Sequence, residues 1–236
     1  MLTPRRRRGF EILDDPYVDP KIRARSISDV TRSNKLLGGL RAASTTFAAA
    51  LPALADDAIV LDVGTGLADV PERMRSVAAT NRRRLFVIGL DEAYSLLDAD
   101  RPRLDAGVCA NALDLPFRDH SIDLVICSQI LHHFDDAGAD RFLREMNRVA
   151  RTAVIVSDLR RSWIAAAGFW LVSFPLRFHR VTRHDGVVSV LRGFTADDLY
   201  RLIQRATGAI PVIDRHLGWR LTARWAPSSS SRLRSE

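Results

Sequence analysis

Cysteine is scarce in this chain. Cys109 and Cys127 are its only two, too few for a disulfide framework, and their spacing fits no metal-ligand signature. Reduced thiols of a cytoplasmic protein are the simpler expectation. Long apolar runs are missing as well. The longest charge-free stretch, Ser162 to Leu176, has fifteen residues, short of the roughly 18 that a membrane span asks for. The opening MLTPRRRRGF has basic residues with no apolar run behind them, so no secretory signal is expected. These absences exclude a disulfide-stapled mini-protein and a membrane-spanning chain. The 47% hydrophobic content of the 236 residues excludes a wholly disordered one and suffices for a single large core.

Lysine is almost absent too: only Lys21 and Lys35 among 35 basic residues. The net charge of +7 invites a nucleic-acid reading, but its distribution narrows it. Residues 1–50 carry +5, residues 51–159 carry −6 and residues 160–236 carry +8. An acidic middle lies between two basic flanks.

Hydrophobic periodicity divides the chain in the same places. From Asp19 to Ala50 the spacing is helical, with a break expected at Gly38 and Gly39. Four short apolar runs follow, at 58–64, 85–91, 122–129 and 153–159, and helical stretches fall at 70–79 and 137–149. Strands alternating with helices at these lengths predict right-handed crossovers and a parallel sheet covered on both faces. Residues 194–208 read as a helix capped by Thr195 and closed by Gly208. IPVIDRHL and WRLTARWA read as an antiparallel hairpin turning near Gly218. The resulting organisation is a helical N-terminal extension over 1–50, one α/β domain over 51–226 with an insertion at about 160–193, and a disordered tail over 227–236.

The segment most telling of chemistry is Val60-Leu61-Asp62-Val63-Gly64-Thr65-Gly66. A glycine turn after a first strand lets a ligand approach the backbone beyond the strand's carboxyl end. The dinucleotide pattern would continue to a third glycine, and Asp69 stands there instead. Acids at Asp62 and Asp69 disfavour a pyrophosphate and favour an ammonium group. Asp91, at the tip of the second strand, is placed to accept two ribose hydroxyls. Next come Asn111-Ala112-Leu113-Asp114-Leu115-Pro116-Phe117 and the strand Ile122–Gln129. Singly, each feature also suits a strand-end cap or a plain turn; together they favour a nucleoside cofactor.

With these motifs in order, the chain resembles the class I S-adenosylmethionine-dependent methyltransferases, in the small-molecule group that includes quinone and phenolic-lipid methylases. The resemblance covers roughly 58–160. It implies a Rossmann-like, mostly parallel seven-stranded sheet with a C-terminal antiparallel hairpin, and S-adenosylmethionine as cofactor. Asp62, Gly64, Thr65 and Gly66 would meet the cofactor's amino-acid end and Asp91 its ribose. Asn111 stands where the family commonly has an aspartate for the adenine amino group, with Ala112 and Leu113 framing the ring. Ser128 and Gln129 would border the methionyl part. The N-terminal stretch resembles, more loosely, the helical cover of a bacterial subgroup associated with polyketide-type phenolic lipids, so Arg32 and Asn34 are placed to close over the site.

For a phenolic acceptor, with a pKa near 10, a positioned base contributes about 10²- to 10⁴-fold. His133 matches the place where related O-methyltransferases carry their base; His132 and His184 are the other candidates. No cluster has metal-ligand spacing, and no metal is expected. The insertion Trp163–Phe174 is apolar around its whole circumference. Such a helix packs in a core, lines a hydrophobic pocket, or makes a shallow contact with a membrane surface. A hydrophobic phenolic or quinone-type acceptor is therefore the leading expectation. C-methylation in quinone biosynthesis and a non-catalytic cofactor-binding regulator are the alternatives. Nucleic acid is disfavoured, because the stretch after the fourth strand is SQILHHF and lacks the Pro-Pro-aromatic grip of base methylases.

Overall fold

A computed structural model describes residues 3–227 apart from 8, 16 and 100–102; the tail expected over 227–236 lies, beyond Pro227, outside the described residues. Helices α1 (Pro20–Leu36) and α2 (Gly39–Ala50) open the fold, broken at Gly38 as the glycine pair predicts. Strand β1 (Asp57–Val63), α3 (Asp69–Thr80), β2 (Arg84–Asp91), α4 (Tyr94–Ala99) and β3 (Ala106–Cys109) follow. Then come β4 (Ile122–Ser128), α5 (Asp136–Val149) and β5 (Ala150–Leu159). Helices α6 (Trp163–Ser173), α7 (Arg180–Arg192) and α8 (Ala196–Thr207) lead to the strands β6 (Val212–His216) and β7 (Arg220–Trp225).

The sheet runs β3-β2-β1-β4-β5-β7-β6. β1 to β5 pair in parallel, while β7 pairs antiparallel with both β5 and β6. Four of the five parallel strands are the apolar runs seen in the sequence; β3 and α4 carried no such signal. Because crossovers leave both faces apolar, the core forms on both. α5 and α8 cover one face, burying Phe142, Leu143, Met146, Leu199 and Ile203. α2, α3 and α4 cover the other through Phe47, Val70, Met74 and Leu97. The second helix of the N-terminal extension is thus a structural wall, fastened to β7 by the 2.7 Å hydrogen bond from Thr46 to Thr222.

Local chemistry explains the helix ends. Asp135 caps α5 by accepting the Gly138 N–H, and Thr195 with Asp198 forms a capping box on α8. Arg183-His184-Asp185-Gly186, a turn-like string in local sequence, lies inside α7. Asp185 is buried there, and its carboxylate accepts the N–H groups of Ile12 and Leu13. The N-terminal segment docks on α7 and gives that helix a tertiary partner that local sequence does not reveal.

Phe142 is fully buried where α5 meets the sheet. Phe142→Ala is expected to cost about 3–5 kcal/mol, read as a lowered midpoint in thermal or denaturant unfolding; a loss under 1 kcal/mol would contradict this packing.

Candidate active site

Parallel strands point their carboxyl ends to one edge of the sheet, and that edge builds the site. β1 runs into Gly64-Thr65-Gly66, with both glycines left-handed at φ +69° and +53°. A Cβ at Gly64 would fall 1.5 Å from Ile130 Cδ1, whereas nothing lies within 4 Å of one at Gly66. The turn is therefore packed at its first glycine and open at its second. At the end of β2, Asp91 accepts the N–H groups of Gly66 at 3.1 Å and Ala93 at 3.0 Å.

A cavity of about 470 Å³ extends from this turn. Asp62, Gly64, Thr65, Gly66, Asp69, Ser128 and Gln129 line it from the sheet side, and Asn34 from α1. His132 and His133 line it after β4, Glu11 and Asp14 from the N-terminal segment. Ala165, Gly168 and Phe169 of α6 and Val190 of α7 supply an apolar wall, and Arg220 closes the floor from β7.

Not every expected residue reaches it. Asp91 adjoins the cavity through its bond from Gly66. Asn111 accepts the Leu113 N–H at 2.7 Å, a local Asx turn beside the buried Ala112. His184 is exposed on the outside of α7, its Nδ1 2.8 Å from Asp185, and does not line the cavity.

The two adjacent histidines differ in kind. His132 is buried, and Asp158 at the end of β5 holds it twice: Oδ2 accepts its backbone N–H at 3.1 Å and Oδ1 meets its Nδ1 at 2.7 Å. Asp158 Oδ1 also accepts the Leu159 N–H. Burial opposes the charge on Asp158, but His132 and these hydrogen bonds outweigh it and hold the carboxyl below its usual range. An ionised carboxylate only accepts, so Nδ1 carries a proton toward Asp158 and Nε2 is the ring nitrogen turned away from it. That Nε2 is buried with no hydrogen-bond partner among the described residues, and Glu11 Oε1 stands 4.0 Å from it.

His133 is 38% exposed, with Nδ1 3.4 Å from Asp14 and 3.9 Å from Glu11. Desolvation pulls its pKa down, but the Asp14 hydrogen bond and the charges of Glu11, Asp14 and Asp158 prevail and raise it. Glu11 Oε1 accepts from Ser189 at 2.9 Å and Arg192 at 3.0 Å. Glu11, His132 and His133 also bring three potential metal-ligating atoms within 4.8 Å of one another. Their spacing in the sequence hides this cluster, because Glu11 arrives from the far end of the chain.

Orphaned polar atoms mark what the cavity can hold. Asn34 Oδ1, Ser128 Oγ and Arg220 Nε are buried without partners, like His132 Nε2. Asn34 Nδ2 is engaged with Asp69 at 3.2 Å, and Arg220 Nη1 with Gln129 at 2.8 Å. Burial lowers the Arg220 pKa to about 10, with Asp158 working the other way. Burial raises Asp62 to about 8, opposed by Thr65 and reinforced by the charges of Asp69 and Asp91. Acceptors at Asn34, Asp62 and Asp69 facing a donor at Arg220 fit a zwitterionic amino-acid group.

Comparison with known proteins agrees with this geometry. Residues 61–156 match the family model described as a methyltransferase domain. Over 101 residues, 43% of the chain, the sequence is 31% identical to tRNA (carboxymethyluridine(34)-5-O)-methyltransferase of Mus musculus, of which the match covers 14%. The chain spans well under half the length of the curated relatives it matches. Among solved structures, the plantazolicin methyltransferase in complex with SAH superposes with a TM-score of 0.69 at 10% identity, covering 93% of this chain and 95% of that one. A SAM-dependent methyltransferase of Thermotoga maritima superposes at 0.58 with 15% identity, covering 88% and 99%.

The raised pKa of Asp62 sets a stability test. Unfolded, this carboxyl loses its proton near 3.8; folded, it keeps it to about 8. Stability from this group is complete below pH 3.8 and is lost as pH rises through 8. Asp62→Asn should gain in melting temperature relative to wild type as pH goes from 5 to 9; a pH-independent difference would contradict the assignment.

Residues 61–156 of this chain thus match a methyltransferase-domain family, and the chain carries the fold of the superposed methyltransferase structures.

Proposed function

We propose that the protein O-methylates a small hydrophobic phenolic or quinone-type acceptor, with His132 as the base. The observation that carries this reading is the His132–Asp158 pair, which presents an unpartnered Nε2 to a cavity whose far wall is apolar. S-adenosylmethionine supplies an electrophilic methyl group when bound. Asp62, Asp69, Asn34 and Arg220 would hold its amino-acid end, Asp91 its ribose, Asn111, Ala112 and Leu113 its adenine, and Ser128 would border the methionyl part. The chain's remaining task is to place a nucleophile in line and take up its proton.

Between the two histidines, the surroundings favour His132 as that acceptor. His133 is partly exposed, with its Nδ1 turned to Asp14 and Glu11, whereas His132 is buried and oriented by Asp158. Asp158 orients His132 and offsets the positive charge it gains, the role that a buried aspartate fills beside a catalytic histidine in other enzymes. The wall that α6 contributes to the cavity, Ala165, Gly168, Phe169 and Val172, is apolar, which favours a hydrophobic acceptor over a polar nucleobase. In C-methylation the same base would take a ring proton, so the reading separates O- from C-transfer only by product.

Methyl transfer from labelled cofactor to a panel of alkylresorcinols, quinols and tRNA tests the reading. Label is expected on a hydroxyl of an alkylated phenol. His132→Ala should lower turnover by about 10²-fold or more with S-adenosylhomocysteine affinity within about twofold, while His133→Ala keeps most of the activity. Equal losses for both variants, or transfer to tRNA alone, would overturn it.

A further inference from the structure

The outer face of α6 is apolar, exposed and framed by arginines. Trp163, Ile164, Trp170, Leu171 and Phe174 recur at helical spacing on one side, with Trp170 48% and Leu171 60% exposed. Monomeric soluble surfaces rarely leave so contiguous an apolar strip uncovered. The opposite side of the same helix, at Ala165, Gly168 and Phe169, lines the cavity. One short helix, about 16 Å long, therefore separates the candidate active site from the outside with apolar side chains on both faces.

Within the insertion the exposed charges are of one sign. The neighbouring Asp29 of α1 is buried, accepting the His179 N–H at 2.8 Å and pairing with Arg25. Between residues 160 and 193 there are six arginines and one acid, Asp185, which is buried. At the C-terminal end of α6, exposed Arg177 and Arg180 follow in the chain, and two arginines of α1 reach the same turn. Arg25 donates to the Arg177 carbonyl at 3.2 Å and Arg32 to the Leu176 carbonyl at 3.1 Å. At the other end Arg7 lies 5.1 Å over the Trp163 ring. Tryptophan, leucine and phenylalanine with arginine at both ends is the side-chain set of a helix lying in a bilayer interface.

We propose that α6 is a membrane-docking helix, which seats the protein on an anionic lipid surface and lets a lipophilic acceptor reach the cavity from the bilayer without crossing water. This rests on the hydrophobic-acceptor reading above for its second half; the docking itself does not. Charge distinguishes the bilayer from a second copy of the chain. A two-fold contact through this strip would bring the arginines framing it from both copies into one interface, in a protein already at +7. Anionic headgroups complement the same arginines. The insertion also leaves no carboxylate on that side to repel them.

The test is vesicle flotation of the full chain, without cofactor or acceptor, so that its outcome is independent of methyl transfer. Vesicles of phosphatidylcholine with 30% phosphatidylglycerol are compared with phosphatidylcholine alone. Binding is expected to the anionic vesicles, at least about tenfold stronger than to the neutral ones and weakened by 0.5 M salt. Leu171→Glu and Trp170→Glu should each reduce it about tenfold or more, while S-adenosylhomocysteine binding by calorimetry, which reports on the fold and the cofactor site, stays unchanged. Arg177→Glu with Arg180→Glu should remove the preference for anionic lipid. Failure to bind anionic vesicles, binding indifferent to the α6 variants, or a dimer that Leu171→Glu dissolves would overturn the proposal. Docking with no transfer to any phenol would instead overturn the acceptor reading and leave the docking intact.

Discussion

A buried negative charge at the end of β5 organises the functional half of this molecule. Asp158 is almost wholly enclosed, and an enclosed carboxylate survives only if hydrogen bonds and a nearby positive partner offset its lost hydration. Three donors converge on it, from the His132 ring, the His132 backbone and Leu159. Satisfying that carboxylate fixes the turn after β4, the tautomer of His132 and the direction of its free nitrogen at once. Arg220, equally buried on the neighbouring strand, is kept cationic partly by the same charge. The acidic and basic ends of the cavity are thus linked through a single aspartate.

The acceptor side is assembled by a second set of polar contacts, which joins the two ends of the chain. Asp185 ties down Ile12 and Leu13, Arg192 bonds Glu11, Asp14 and the Gly9 carbonyl, and Arg161 donates to the Pro4 carbonyl. The N-terminal segment is therefore a strap across α7, and it delivers Glu11 and Asp14 to His133. Against desolvation, those two acids raise the pKa of His133, with the Asp14 hydrogen bond the larger contribution. Basic flanks around an acidic middle thus resolve into arginines that pin the segments covering the site and carboxylates that stand inside it.

The parallel core was legible from local pattern because strands buried on both faces are mostly apolar, as residues 58–61 and 124–127 are. The cofactor motifs were legible for a related reason: a tight turn with left-handed backbone needs glycine at Gly64 and Gly66, and a strand-end carboxylate such as Asp62 stands out against its apolar run. Asp158 carried the same signature at the end of AVIVSDL and could have been found by it. Arg220 and Glu11 could not. An arginine in a hairpin strand reads as solvent-facing, and Glu11 lies in a segment with no periodicity; only tertiary packing buries either one. The helix around Asp185 was hidden by Gly186 and by His184-Asp185, a turn-like pair locally, and its stability comes from the strap.

α6 shows how these levels meet. Hydrophobicity on every side of a helix is usually a mark of complete burial, yet α6 is an insertion between the last parallel strand and α8, outside the two core layers. Only one of its faces finds protein to pack on, through Ala165, Ala166 and α7. Ala165 and Gly168 bring that inner face close to the cavity, where Phe169 joins them, and Trp163, Trp170 and Leu171 are turned outward. Polar residues in place of Trp170 and Leu171 would leave the cavity wall untouched, since the ring contact of Trp170 is with Phe174 of the same strip, edge-on with centroids 4.8 Å apart. The cost of Trp170 and Leu171 in water is therefore an added constraint, independent of the fold and of the cofactor site, and it falls on the one element that stands between the acceptor cavity and the exterior.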